Sequence, residues 1–276
     1  MSKESAMHAY AQTNVQLFNQ LQSEGYSARD RELVRLAYEF AMGLFTGLFL
    51  PSGKTFIDHL VGTASILTSL HVPVEVVAAG LLHAAYLHGD FGSIKKGISN
   101  AKRVQLRQVL GDAVEEYIAR YDRLLLTPQN ISSLNDTLDQ LSPIDRYVVL
   151  MRLANEFEHH LDFGGLYFAH GEKQQRGYQR YMESRGPQLV TMAERLGFRS
   201  LAAGMQMTFR HVAAAELPLE PYIRCNHIVA YAITPASYCE RLPVLCRRKL
   251  SDFRQLGLRI LRRAKFLYAQ TLSRAA

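Results

Sequence analysis

Two histidines 24 positions apart, His59 in Phe56-Ile57-Asp58-His59 and His83 in Ala79-Gly80-Leu81-Leu82-His83, are the first residues of this chain whose type and setting suit chemistry. A third, His159, follows Asn155 by one helical turn, so those two share a helix face. Imidazole titrates near neutrality, which fits His59, His83 and His159 as general acids or bases, with the Tyr86 hydroxyl beside them. Imidazoles also bind metals. Three of them with Asp90 or Glu156 as a carboxylate would suit zinc or iron better than manganese. Lys54, Arg152 and Asn155 are candidate anchors for an anionic ligand. Competing readings stand beside these: a His on an apolar helix is often a hydrogen-bonded core residue, and Glu156, Glu158, His160 and Asp162 read together as a solvated helix face. Pro51-Ser52-Gly53-Lys54 lacks the strand and the spacing of a phosphate-binding loop.

Helices must position these groups, because helical periodicity dominates and no alternating run is long enough for a convincing sheet. The pattern predicts a helix over about Ala6 to Leu21, ended by Gly25, and one over Ala28 to Phe49 with Ser27 as N-cap. Thr55 caps the helix that carries His59. Val74 to His88 is apolar on nearly every side and reads as one central helix with His83 in its middle. Helices follow at about Lys102 to Leu110 and Asp112 to Leu126, then a polar, turn-rich stretch over 129–143. Pro143 opens the helix that bears Arg152, Asn155 and His159. The last third predicts helices near 172–196, 199–215, 220–232 and 249–273. Residues 1–198 are expected to form a helical core, with 199–276 packed on it as a C-terminal helical extension, and no repeat of 20 to 50 residues is visible.

With 276 residues and 48% hydrophobic content, the chain can bury a sizeable core without disulfides. Cys225, Cys239 and Cys246 are odd in number and form no CxxC pair, which fits reduced thiols in a cytoplasmic protein. The N-terminus carries no apolar signal region, and the longest apolar run, residues 40–50, is too short to span a bilayer. The net charge of +7 is concentrated at one end. From Arg241 to Ala276 ten Lys/Arg stand against the single acid Asp252, which leaves the first 240 residues at about −2. The final basic helix is amphipathic and suits an acidic partner or an anionic membrane surface, or simply packs its apolar stripe on the body.

The motifs Phe-Ile-Asp-His59, Leu-Leu-His83 and Met151-Arg152-Leu153-Ala154-Asn155 together resemble the hydrolase domain of the RelA/SpoT-type guanosine tetraphosphate enzymes, within the HD-domain superfamily, over roughly residues 30–165. The resemblance implies an all-α, HD-domain-like helical bundle. It also implies a metal held by two His and two Asp residues. His59 and His83 match that set, but Ala84 stands where the second His is followed by Asp, and Asn155 stands in the last Asp position. Both anionic ligands are therefore replaced, so ordinary manganese-dependent hydrolysis of guanosine tetraphosphate is not expected and no cofactor is implied, with a manganese, zinc or iron ion at a rebuilt site as the alternative. Two functions remain. One is an enzyme acting on a small, anionic or nucleotide-like molecule through a His-lined pocket; the other is a noncatalytic ligand- or partner-binding descendant.

Overall fold

The computed structural model describes residues 10–50, 54–92, 96–127, 130–162 and 172–215. Among these lie ten α-helices: α1 (Asn14–Ser23), α2 (Ala28–Phe45), α3 (Phe56–Ser69), α4 (Val74–Gly80), α5 (Ala85–His88), α6 (Asn100–Arg123), α7 (Ile131–Asp136), α8 (Pro143–Leu161), α9 (Glu172–Arg195) and α10 (Arg199–Ala214). A short 3-10 turn, Leu138–Gln140, precedes α8. The chain is all-α over the described residues, with the isolated bridge between Phe49 and Thr55 as the one extended pairing among them. The three cysteines, the basic stretch 241–276 and the helices expected at 220–232 and 249–273 lie outside the described residues.

Capping explains where the helices begin. Thr13 and Ser27 form reciprocal capping boxes with Gln16 and Asp30, so two of the orphan N–H groups at each helix start are satisfied locally. Thr55 accepts from the Asp58 N–H at 3.1 Å and starts α3; Ser142 with Pro143 behind it starts α8. One apolar cluster runs from Ala11 to Val212 and joins all of these helices. Within it α8 packs against α3, α4, α6, α9 and α10, so it is buried on most sides. The described part of the expected extension, α10, contributes Leu201, Met205, Phe209 and Val212 to this same core.

Three expectations change. The continuous helix expected over 74–88 is two short helices separated by a turn at 81–84, and His83 lies in that turn. Its Nδ1–H donates to the Gly80 carbonyl at 2.8 Å, which occupies the acceptor that a helix would offer to residue 84. The stretch 129–143 holds α7 and the 3-10 turn. The two helices expected on either side of residue 111 form one rod interrupted by a kink, with Gly111 at φ 85° and ψ 168°.

Candidate functional site

Backbone ties hold Lys54 at the start of α3. Leu50 N–H donates to the Lys54 carbonyl at 2.8 Å, and Phe56 N–H donates to the Leu48 carbonyl at 2.9 Å. One turn into α3, His59 faces inward, 1% exposed, edge-on to Phe56. From α8, Asn155 and His159 reach the same imidazole. Asn155 Oδ1 lies 3.0 Å from His59 Nε2, and the His159 ring stacks on the His59 ring with centroids 4.2 Å apart. The shared helix face expected for Asn155 and His159 is therefore the face turned towards His59. His83 meets the His59 ring edge-on at 5.3 Å.

The residue that completes the site is Glu158, which the sequence reading placed on a solvated face. Its side chain is 0% exposed. Oε2 lies against His59 Nδ1 and Oε1 accepts from the Lys54 ammonium, while Lys54 also stands 3.5 Å from Asp162 Oδ2. His160, from the same supposed face, is buried too, against Tyr178 and Phe209. The signal that could have found Glu158 was its position three residues after Asn155, on the face that carries the motif. The room for it comes from Gly62 on α3, where a Cβ would meet the Glu158 carboxylate.

Electrostatics divide the imidazoles. Burial holds the His83 imidazole well below its ordinary range, and the neighbouring His59 adds to this. Burial, again with His59, takes His159 down to about 3. Both are therefore neutral at physiological pH and offer lone pairs. Burial works against the charge of Glu158, yet His59 and Lys54 hold its carboxyl below the usual carboxylate range.

The other predicted site residues go elsewhere. Arg152 lays its guanidinium 3.5 Å over the Tyr121 ring and donates through Nη2 to the Tyr121 carbonyl, while its buried Nε has no partner. Tyr121 also contacts His83, with ring centroids 5.0 Å apart, so Arg152 borders the cluster from the far side. Glu156 pairs with His160 at 3.8 Å; burial opposes its charge, but His160 and His159 hold the carboxyl below the ordinary value. Tyr86 is buried, and its hydroxyl donates to Glu115. Asp90 is exposed, and its Oδ1 accepts from the Gly92 N–H at 2.8 Å to close a turn. Lys54, His59, His83, Asn155 and His159 are brought together; Tyr86 and Asp90 make their contacts outside that group.

The four-ligand set implied by the HD-domain resemblance does not fit this chain. Ala84 offers no oxygen, and Asn155 offers a neutral amide turned towards His59 Nε2. A different set is present: His59, Glu158 and His159 each offer a ligand atom, all within 4.8 Å of one another.

No helix among the described residues is long and apolar enough to cross a membrane. No curated protein matches the chain. Residues 47–124 match the model of a domain of unknown function, DUF6817. That match takes in Lys54, His59 and His83 and stops short of α8, so the half of the site made by Asn155, Glu158 and His159 lies beyond it.

Proposed function

We propose that this chain is a divergent HD-domain-like cytoplasmic protein whose His59–Glu158 centre binds and acts on a small anionic, nucleotide-like molecule, and that guanosine tetraphosphate hydrolysis of the RelA/SpoT type is not its activity. The observation that carries this reading is the fully buried Glu158 carboxylate set between Lys54 and His59. Taking a carboxylate out of water costs several kcal/mol even after relaxation, and unlike the buried Glu115, which is paired with two arginines, Glu158 is set against a cluster of imidazoles, the kind of setting found at functional sites.

Its chemistry follows from the hydrogen bonds. With Asn155 Oδ1 at 3.0 Å, Nε2 of His59 carries a proton, and a second proton lies between Nδ1 and Glu158 Oε2. The pair is thus a proton donor held in one orientation, with Glu158 taking the compensating charge. His83 and His159 stay neutral beside it, because burial disfavours their charged forms. Lys54 and Arg152 border the cluster with positive charge, which favours a ligand bearing phosphate or carboxylate.

A second reading, noncatalytic binding, is favoured by one feature: both nitrogens of His59 and both oxygens of Glu158 already have protein partners. Such a closed network fixes the side chains of the cluster without any turnover. Calorimetric titration of the protein with guanosine tetraphosphate, GTP and pyrophosphate, followed by anion-exchange analysis of the products, tests both readings. Binding of one of these anions that is lost in Lys54→Met supports the site. Products lost in His59→Ala make it catalytic, binding without products makes it a receptor, and failure to bind any of the three sinks the proposal.

A further inference from the structure

We propose that His59, Glu158 and His159 form a binding site for a divalent transition-metal ion of the zinc or ferrous class, built on a ligand set different from the one the motif resemblance implies. The inference shares its cluster with the proposed function but needs no anionic ligand.

The argument starts from two atoms that face each other. Asn155 Oδ1 accepts the Nε2–H of His59 at 3.0 Å, which leaves the Nδ1 lone pair aimed at Glu158 Oε2. Two electron-pair donors in contact require a positive species between them, and a proton or a metal ion can serve. When the ion binds, the proton leaves to solvent, and Nδ1 and Oε2 change from hydrogen-bond partners into neighbouring ligands. Asn155 then holds the ring in the tautomer that ligates, the role a carbonyl commonly plays behind a metal-bound imidazole.

The third ligand comes from the residue after Glu158. Consecutive helical residues point about 100° apart, so Glu158 and His159 bracket His59 from two sides: Glu158 at its Nδ1 edge and His159 on its face. All three ligand atoms already lie within 4.8 Å of one another, and bonds of about 2.1 Å in a tetrahedral site place ligand atoms roughly 3.4 Å apart. Reaching that arrangement draws Nδ1 and Oε2 apart from hydrogen-bond contact and brings the wider-spaced ligand atoms together. Two imidazoles and one carboxylate suit zinc, or ferrous iron with open positions, whereas a hard manganese site would ask for more oxygen ligands. Glu158 Oε1 remains with Lys54, so one ligand carries its own orienting cation. His83 is outside the set because it is not among the residues whose ligand atoms gather within 4.8 Å of one another; its Nδ1–H donates to the Gly80 carbonyl.

The test is titration of the metal-free full-length protein with cobalt(II), read by its visible absorption bands, and with zinc, read by elemental analysis after dialysis. The expected result is near one ion per chain in the wild type. His159→Ala and Glu158→Gln should each weaken binding by more than the roughly 10- to 100-fold that loss of an outer-shell partner costs, and Tyr86→Phe, whose hydroxyl serves Glu115 outside the cluster, should leave it unchanged. A thermal melt by circular dichroism establishes that each variant is folded, and His159, the most accessible of the three, is the least disruptive to truncate. Two results overturn the inference: a folded wild type that takes up neither ion, or binding that survives His159→Ala and disappears in His83→Ala. A protein that binds pyrophosphate but no ion refutes the metal site alone; one that binds the ion but none of the three anions refutes the proposed function alone.

Discussion

Gly62 and Glu158 fill one space between α3 and α8. A Cβ at residue 62 would lie 2.6 Å from Oε1 and 2.8 Å from Cγ of Glu158, closer than any carbon tolerates, and the carboxylate has no free direction because Lys54 and His59 hold its two oxygens. Gly62→Ala is therefore expected to cost about 1–3 kcal/mol, as overpacking does, and to weaken cobalt uptake by displacing Glu158. Gly43 on α2 is the control: a Cβ there would meet nothing within 4 Å, so Gly43→Ala should stabilise by up to about 1 kcal/mol through helix propensity. Urea unfolding of the two variants decides the matter, and a neutral Gly62→Ala would remove the case for a tightly held Glu158.

Lys54 and Glu158 should be worth far more to each other than either is alone. The ammonium is 14% exposed and the carboxylate fully buried, so removing one partner strands a desolvated charge. Lys54→Met is expected to destabilise by about 3 kcal/mol, in the range found for broken buried pairs, while Lys54→Met with Glu158→Met should recover most of that loss. A double-mutant cycle in urea measures the coupling. Additive losses would show that Glu158 relies on His59 alone.

Much of this site was legible because its motif lies on regular helices. The 24-residue interval from His59 to His83 and the Asn155–His159 turn both bring together residues that touch in the structure. Glu158 was misread for a definite reason. Glu156, Glu158, His160 and Asp162 fall in a stretch where only Phe157 and Leu161 are apolar, and a run of charges at the end of a helix reads as a wet face when nothing signals what packs there. In the structure α3, α9 and α10 all cover α8, so Glu158 and His160 are enclosed while Asp162 stays exposed. The break at 81–84 was hidden for another reason: Leu81, Leu82 and His83 continue the apolar pattern, and the interruption comes from the His83 side chain binding the Gly80 carbonyl, a contact that periodicity does not encode.

Stability should fall on acidification before any carboxylate is protonated. His83 and His159 are held below their ordinary value by burial, so between pH 6.5 and the folded values the unfolded chain binds protons that the native state refuses. Their contribution is present in full above pH 6.5 and declines below it, at about 1.4 kcal/mol per pH unit for each imidazole. Thermal melts at intervals from pH 7.5 to 5 should show this fall, and His159→Ala should make it shallower. A flat profile over that range would mean the two rings are solvated.

Tyr86 offers a last test, because it separates a structural hydroxyl from a catalytic one. Burial pushes its phenol up, and the Glu115 carboxylate that accepts its proton adds to this. Glu115 is itself buried and also takes Arg103 through Nε and Nη2 and Arg107 through Nε, each at 2.8 Å. The two arginines precede Gly111 and Glu115 follows it, so the cluster clamps the two limbs of α6 across a kink whose backbone only glycine adopts without strain. The hydroxyl of Tyr86 serves that clamp. Tyr86→Phe should therefore cost about 1.5–3 kcal/mol, the loss of a buried hydrogen bond to a charged group, and Gly111→Ala about 1–3 kcal/mol, while both variants keep wild-type affinity for cobalt and for whichever nucleotide probe binds. A Tyr86→Phe protein of normal stability that loses the probe would return the hydroxyl to the His59 site.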